Sequence, residues 1–135
     1  MSRNAGSPRY FTDRNLGAIK VPGLLRAAGL HVVTLQERYG PRRAQSVTDE
    51  EWLRDAGREG DLVLMRDTRI HRNPVERAAL VTYGVRAFCL ARGDTTGEEQ
   101  AALFLRHIER ITAIGLAEPG PLLYVISGEG IRRKI

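Results

Sequence analysis

Three apolar runs in the first half of this chain each end at or just before an acid. They are Tyr10-Phe11-Thr12-Asp13, then His31-Val32-Val33-Thr34-Leu35 followed by Glu37, and Leu62-Val63-Leu64-Met65-Arg66-Asp67. As parallel strands they would bring Asp13, Glu37 and Asp67 to the carboxyl edge of one sheet, where open α/β folds bind their ligands. A further acid comes from Asp49-Glu50-Glu51, of which Asp49 is the candidate; Asp94 follows a fourth apolar run, and Glu37, Glu50 or Asp94 would complete the site. Gathered carboxylates repel one another unless a cation sits among them. Mg²⁺ takes one or two carboxylates, keeps several waters and leaves room for a phosphate. Such an ion, Mg²⁺ or Mn²⁺, lowers the pKa of a bound water and neutralises charge developing on phosphorus. The chemistry expected is therefore metal-dependent attack on phosphodiesters, with Asp13, Asp49 and Asp67 catalytic and Glu37 completing the metal ligands. Zinc is not indicated: His31, His71 and His107 are scattered and Cys89 is the single cysteine.

Each acid also has a structural use. Asp13 can cap a turn, and acids in a helix's first turn stabilise it by about 0.3–1 kcal/mol each with no catalysis required. What singles these acids out is their shared placement at strand ends. Arg14 and Arg69 adjoin the acids; they suit either a substrate phosphate or charge balance within the pocket.

The elements that must position these residues alternate. Helical apolar spacing runs from Ala18 to Gly29, with Gly29 as its C-cap. Gln36 to Val47 is polar and rich in Arg and Gly, and reads as a loop. Thr48 and Glu51 form a capping box that opens a helix to about Arg58. After the run at Leu62 come a helix over Pro74–Val81 and a strand over Val85–Leu90. A second capping box at Thr96 and Glu99 opens one long helix to about Leu116, with Ala101, Phe104, Leu105, Ile108 and Ile111 on its core face. Leu122–Ile126 is a fifth strand, and the tail from Gly130 to Ile135 is either a basic end or an edge strand. Strands alternating with helices predict a mostly parallel sheet covered on both faces.

The 135 residues suffice for one domain that buries about two-thirds of its unfolded surface, with residues 1–8 as a flexible lead-in. No apolar run approaches the roughly 20 residues of a membrane span, and no secretory signal is visible, so a cytosolic chain is expected. Cys89 lies inside an apolar run and is expected to be buried and inert. The net charge of +5 rests on arginine, with Lys20 and Lys134 the only lysines. That balance agrees with a nucleic-acid or acidic protein partner, and equally with an arginine-rich genome.

Three segments together carry a resemblance. Phe11-Thr12-Asp13-Arg14-Asn15-Leu16, Thr48-Asp49-Glu50-Glu51-Trp52-Leu53 and Val63-Leu64-Met65-Arg66-Asp67-Thr68-Arg69-Ile70 are similar, in order and approximate spacing, to the PIN-like domain ribonucleases, including toxins of the VapC type. The similarity spans about Tyr10 to Ile126. It implies a three-layer α/β/α sandwich, a Mg²⁺- or Mn²⁺-dependent endoribonuclease acting on RNA, frequent homodimerisation, and neutralisation by a cognate antitoxin protein. By position, Asp13 would be the first-strand metal ligand, Asp49 the helix acid, Asp67 the acid after the next strand, and Glu37 the remaining one. The family often has Thr or Ser before the acid at Asp67, where this chain has Met65-Arg66.

Two other readings stand beside it. A PIN-like fold that binds RNA or protein without cutting is the alternative. A phosphoacceptor receiver domain also groups acids around Mg²⁺, but it needs a lysine after its fifth strand, and none lies between Lys20 and Lys134. Trp52 and Tyr39 could stack on bases, although Trp52 beside Leu53 in a helix reads as core.

Overall fold

The structure is a computed structural model that describes residues 8–66, 73–91 and 95–135. Asp67, Arg69 and Asp94 lie outside the described residues. Strand β1 (Arg9–Thr12) leads through a one-turn 3-10 segment (Arg14–Leu16) to α1 (Lys20–Ala27) and β2 (His31–Thr34). Helices α2 (Leu35–Arg43) and α3 (Asp49–Glu59) precede β3 (Leu62–Met65), and α4 (Pro74–Thr82) precedes β4 (Arg86–Leu90). Then come α5 (Gly97–Arg106), α6 (Ile108–Ala117), β5 (Leu122–Ser127) and β6 (Gly130–Arg133). The sheet order is β2-β1-β3-β4-β5-β6. The first five strands are parallel, and β6 runs antiparallel beside β5.

The apolar runs become strands because both faces of the sheet are covered, so every residue of β3 is buried. One face packs Phe11, Val63, Ala87 and Leu123 against α2, α3 and α4, through Leu35, Trp52, Leu53, Ala56 and Leu80. The other packs Tyr10, Leu64, Phe88 and Ile126 against α1, α5 and α6, through Val21, Leu25, Phe104 and Ile111. This is the expected three-layer sandwich. Cys89 is buried, as expected.

Three expectations change. Residues 36–47 are mostly helical rather than a loop: Thr34 caps α2 by accepting from the Glu37 amide, and the helix is kinked at Gly40, whose φ of 83° only glycine adopts readily. The helix expected over 96–116 is two, α5 and α6, broken at His107, whose ring Nε2 lies 3.2 Å from the Ser127 carbonyl oxygen. The tail resolves into the edge strand β6.

A buried carboxylate binds the amino edge of the sheet. Asp61, 2% exposed at the start of β3, accepts from Arg9 Nε at 2.6 Å and faces an Arg38 Nη2 at 2.6 Å. Arg38 also lies over the Phe11 ring, 4.5 Å from its centre. Separate parts of the chain, β1, α2 and β3, are thereby joined through one acid. Removing one partner of a buried ion pair leaves uncompensated charge, at a cost of about 3–5 kcal/mol. Asp61→Ala is expected to lower stability by about 3 kcal/mol, read from the midpoint of urea unfolding; a change below about 0.5 kcal/mol would remove this role.

Candidate active site at the carboxyl edge of the sheet

Asp13 follows β1 directly, and β1 is paired on both sides, by β2 and β3. Its amide donates to the Leu64 carbonyl of β3 at 3.3 Å, and its own carbonyl receives the Leu16 amide that starts the 3-10 turn. The turn swings the chain away from the sheet while Asp13 stays buried, 3% exposed. A carboxylate that deep needs cationic or hydrogen-bonding company to remain ionised. The neighbouring Thr12 hydroxyl is buried with no hydrogen-bond partner among the described residues, a feature the residue pattern alone does not signal.

Asp49 is the first residue of α3, where its charge favours the helix dipole. Its Oδ1 accepts from the Trp52 indole Nε1 at 2.8 Å. Trp52 is 1% exposed and tilts against Phe11 with ring centres 5.4 Å apart. The core reading of Trp52 holds, and the same ring orients the Asp49 carboxylate. The spacing of three between them, one helical turn, was the available signal. The loop before α3 is tied to the segment after Asp13 by Arg14, whose Nη2 donates to the Ala44 carbonyl at 2.6 Å and to that of Val47 at 3.1 Å. Helix α3 is itself seated on α4 at Gly57, where a Cβ would stand 2.3 Å from the Tyr83 backbone oxygen.

Arg14 is thus occupied in holding that loop, which accounts for its guanidinium without a phosphate. Glu37 is similarly engaged. Its Oε1 accepts from the Thr34 amide at 3.0 Å and pairs with Arg26, completing the capping box of α2. The bond from Arg26, then that from Thr34, holds the Glu37 carboxyl below its ordinary range. Glu51 has the same design on α3, bound by Thr48 and Arg43, and Glu50 is exposed beside Val75. Among the described residues no group of three or more His, Cys, Asp or Glu is close enough to hold a metal ion. Asp13, Glu37 and Asp49 therefore do not form a ligand triad by themselves. What fits a hard cation is the donor chemistry: Asp13 is a buried all-oxygen donor at the carboxyl edge, and Mg²⁺ needs only one or two protein carboxylates.

The geometry defines a class, an α/β/α sandwich with an acid after its first strand and another opening a helix tied to it. The family sequence model described as "PIN like domain" matches residues 8–92. The chain is 41% identical over 125 residues to the Mycobacterium tuberculosis (strain ATCC 25618 / H37Rv) protein named "Putative ribonuclease VapC45", covering 91% of this chain and 88% of that one. The chain belongs to the PIN-like domain family, in its VapC-type branch. No solved structure matches it at a significant level. Among the described residues no helix is long and apolar enough to cross a membrane.

The depressed acidity of Glu37 gives a test of its structural role. A carboxylate whose folded pKa is lowered adds stability above its unfolded value, about 4.3, which is lost as pH falls through the folded one. Wild type is expected to exceed Glu37→Gln at pH 7 by a fraction of a kcal/mol, because the pair is half exposed. The gap should close below about pH 4 in urea unfolding series; a gap independent of pH would contradict it.

Proposed function

We propose that this protein is a Mg²⁺- or Mn²⁺-dependent endoribonuclease and the toxin of a toxin–antitoxin pair, acting in the cytoplasm as a single domain. The observation that carries the reading is the buried Asp13 carboxylate at the carboxyl end of a strand paired on both sides. Membership of the VapC-type branch, and the ribonuclease named among its relatives, supports RNA as the substrate and an antitoxin as the partner.

Asp13 and Asp49, with Asp67 from beyond β3, are the proposed catalytic acids and hold the cation. When bound, a hard divalent ion supplies Lewis-acid stabilisation of charge on phosphorus and a more acidic water. Asp13 contributes a carboxylate whose position is set by the backbone of two strands. Asp49 contributes one held by the Trp52 indole, so its free oxygen keeps one direction. Arg14 acts as a positioning residue that keeps the start of α3 against the Asp13 turn. Glu37 serves the α2 cap and the Arg26 pair, which leaves the three aspartates as the proposed site.

Purified protein is expected to cleave single-stranded RNA with Mn²⁺ or Mg²⁺, and Asp13→Asn to cut that rate by about 10²-fold or more while retaining the wild-type circular dichroism spectrum. Manganese should raise the melting temperature of wild type by mass action, and less so that of the variant. Undiminished cleavage by Asp13→Asn would reject the site. Absence of both cleavage and a manganese shift in wild type would favour the non-catalytic binding module.

A further inference from the structure

The far end of the sheet carries a groove that the acid site does not use. It measures about 540 Å³, and its lining includes Arg110, Val125, Ser127, Glu129 and Arg132. It wraps the β5–β6 turn, from the face of α6 to the face covered by α2, α3 and α4. Leu123 is buried beneath them, whereas Val125, two residues on, is half-buried. Val125 and Arg132 are register partners across β5 and β6 and so share a face. Alternation sends Arg133 to the other face, where it pairs with Glu118 at 2.8 Å and lies over the Tyr124 ring. Arg110 arrives from α6, one turn after the His107 ring that meets the Ser127 carbonyl. Both Arg110 and Arg132 are exposed, and neither guanidinium has a hydrogen-bond or ion-pair partner among the described residues. Among those residues Glu129 is the single acid in the lining.

Two free guanidiniums over a concave surface suit phosphate groups, which they engage with paired donors. The groove opens beside Ser127, at the carboxyl end of β5, and so lies on the same edge as Asp13. In the sheet, β1 and β5 are three strand spacings apart, which at roughly 4.8 Å each is about 14 Å. A short stretch of single-stranded RNA can bridge that separation. We infer that Arg110 and Arg132 hold the backbone of the RNA substrate to one side of the cut, making this groove an extension of the nuclease site. The inference rests on the ribonuclease reading above. An acidic protein segment would also suit two arginines, but continuity with the edge that carries Asp13 favours the nucleic acid.

The test separates binding from cutting. Fluorescein-labelled single-stranded RNA is titrated in an anisotropy assay, over a series of salt concentrations, with Asp13→Asn protein and with the same protein carrying Arg110→Ala and Arg132→Ala. The double substitution is expected to weaken binding about tenfold and to lower the slope of log K against log salt by about 1.4, since each phosphate contact on a single strand contributes about 0.7. Unchanged affinity and slope would overturn the inference. So would loss of binding to a labelled poly-glutamate peptide with RNA binding intact, which would assign the groove to an acidic protein. Cleavage by the wild-type chain is measured separately. Cleavage with coincident slopes refutes only the groove, and a lowered slope without cleavage refutes only the catalytic reading.

Discussion

A parallel sheet delivers the carboxyl ends of its strands to one edge, and the function of this chain depends on that constraint. No two acids in the proposed site are close in sequence, so no local interaction can assemble them. Pairing does it instead: β1 lies between β2 and β3, its register with each is set by buried residues on both faces, and Asp13 leaves the sheet at a determined place. A slip of one residue would exchange Tyr10 and Phe11 between the two cores and turn Asp13 with them. The burial of both aromatic rings is therefore also what aims the carboxylate.

The two edges of the sheet use charge differently. At the amino edge, Asp61 meets Arg9 and Arg38, Arg9 also meets Glu59, and Arg86 donates to the Gly60 and Gly115 carbonyls. Burial pushes the Arg86 guanidinium down from its ordinary pKa, but two carbonyl acceptors supply hydrogen bonds there. These contacts close one end of the sandwich. At the carboxyl edge the ion pairs belong to the helix starts: Glu37 with Arg26, Glu51 with Arg43 and Glu98 with Lys20. Arg14 braces a loop, Trp52 steadies one acid, and the guanidiniums of Arg110 and Arg132 stand without protein partners among the described residues.

Much of this was legible because the strands are buried on both faces and so read as unbroken apolar runs, and because two helices announce themselves with Thr-x-x-Glu boxes. Thr34-Leu35-Gln36-Glu37 is a third box of the same kind. Gly40, Pro41 and the surrounding arginines masked it, since α2 buries little beyond Leu35 and shows no broad apolar stripe. The break at His107 left no mark in the periodicity because both halves present apolar residues to the same core. Asp61 reads locally as a turn residue; its partners lie 52 and 23 positions away, and only the folded sheet brings them to it.

The three boxes also sort the acids by role. Glu37, Glu51 and Glu99 each stand three residues after a threonine and each turn back to bond the amide of that threonine. A carboxylate spent in this way satisfies a helix end that would otherwise leave its donors bare. Asp13 and Asp49 occupy neither position. Asp13 precedes a 3-10 turn without a side-chain cap bond, and Asp49 sits at the first residue of α3, where Thr48 already caps. The helices that follow β2 and β4 begin at the carboxyl edge, with the positive ends of their dipoles on that side of the molecule. Their box glutamates, Glu37 and Glu99, lie at those positive ends and offset them. An acid at the third position of such a box is therefore structural in this chain, whereas Asp13 and Asp49 serve no cap and are the acids proposed for chemistry.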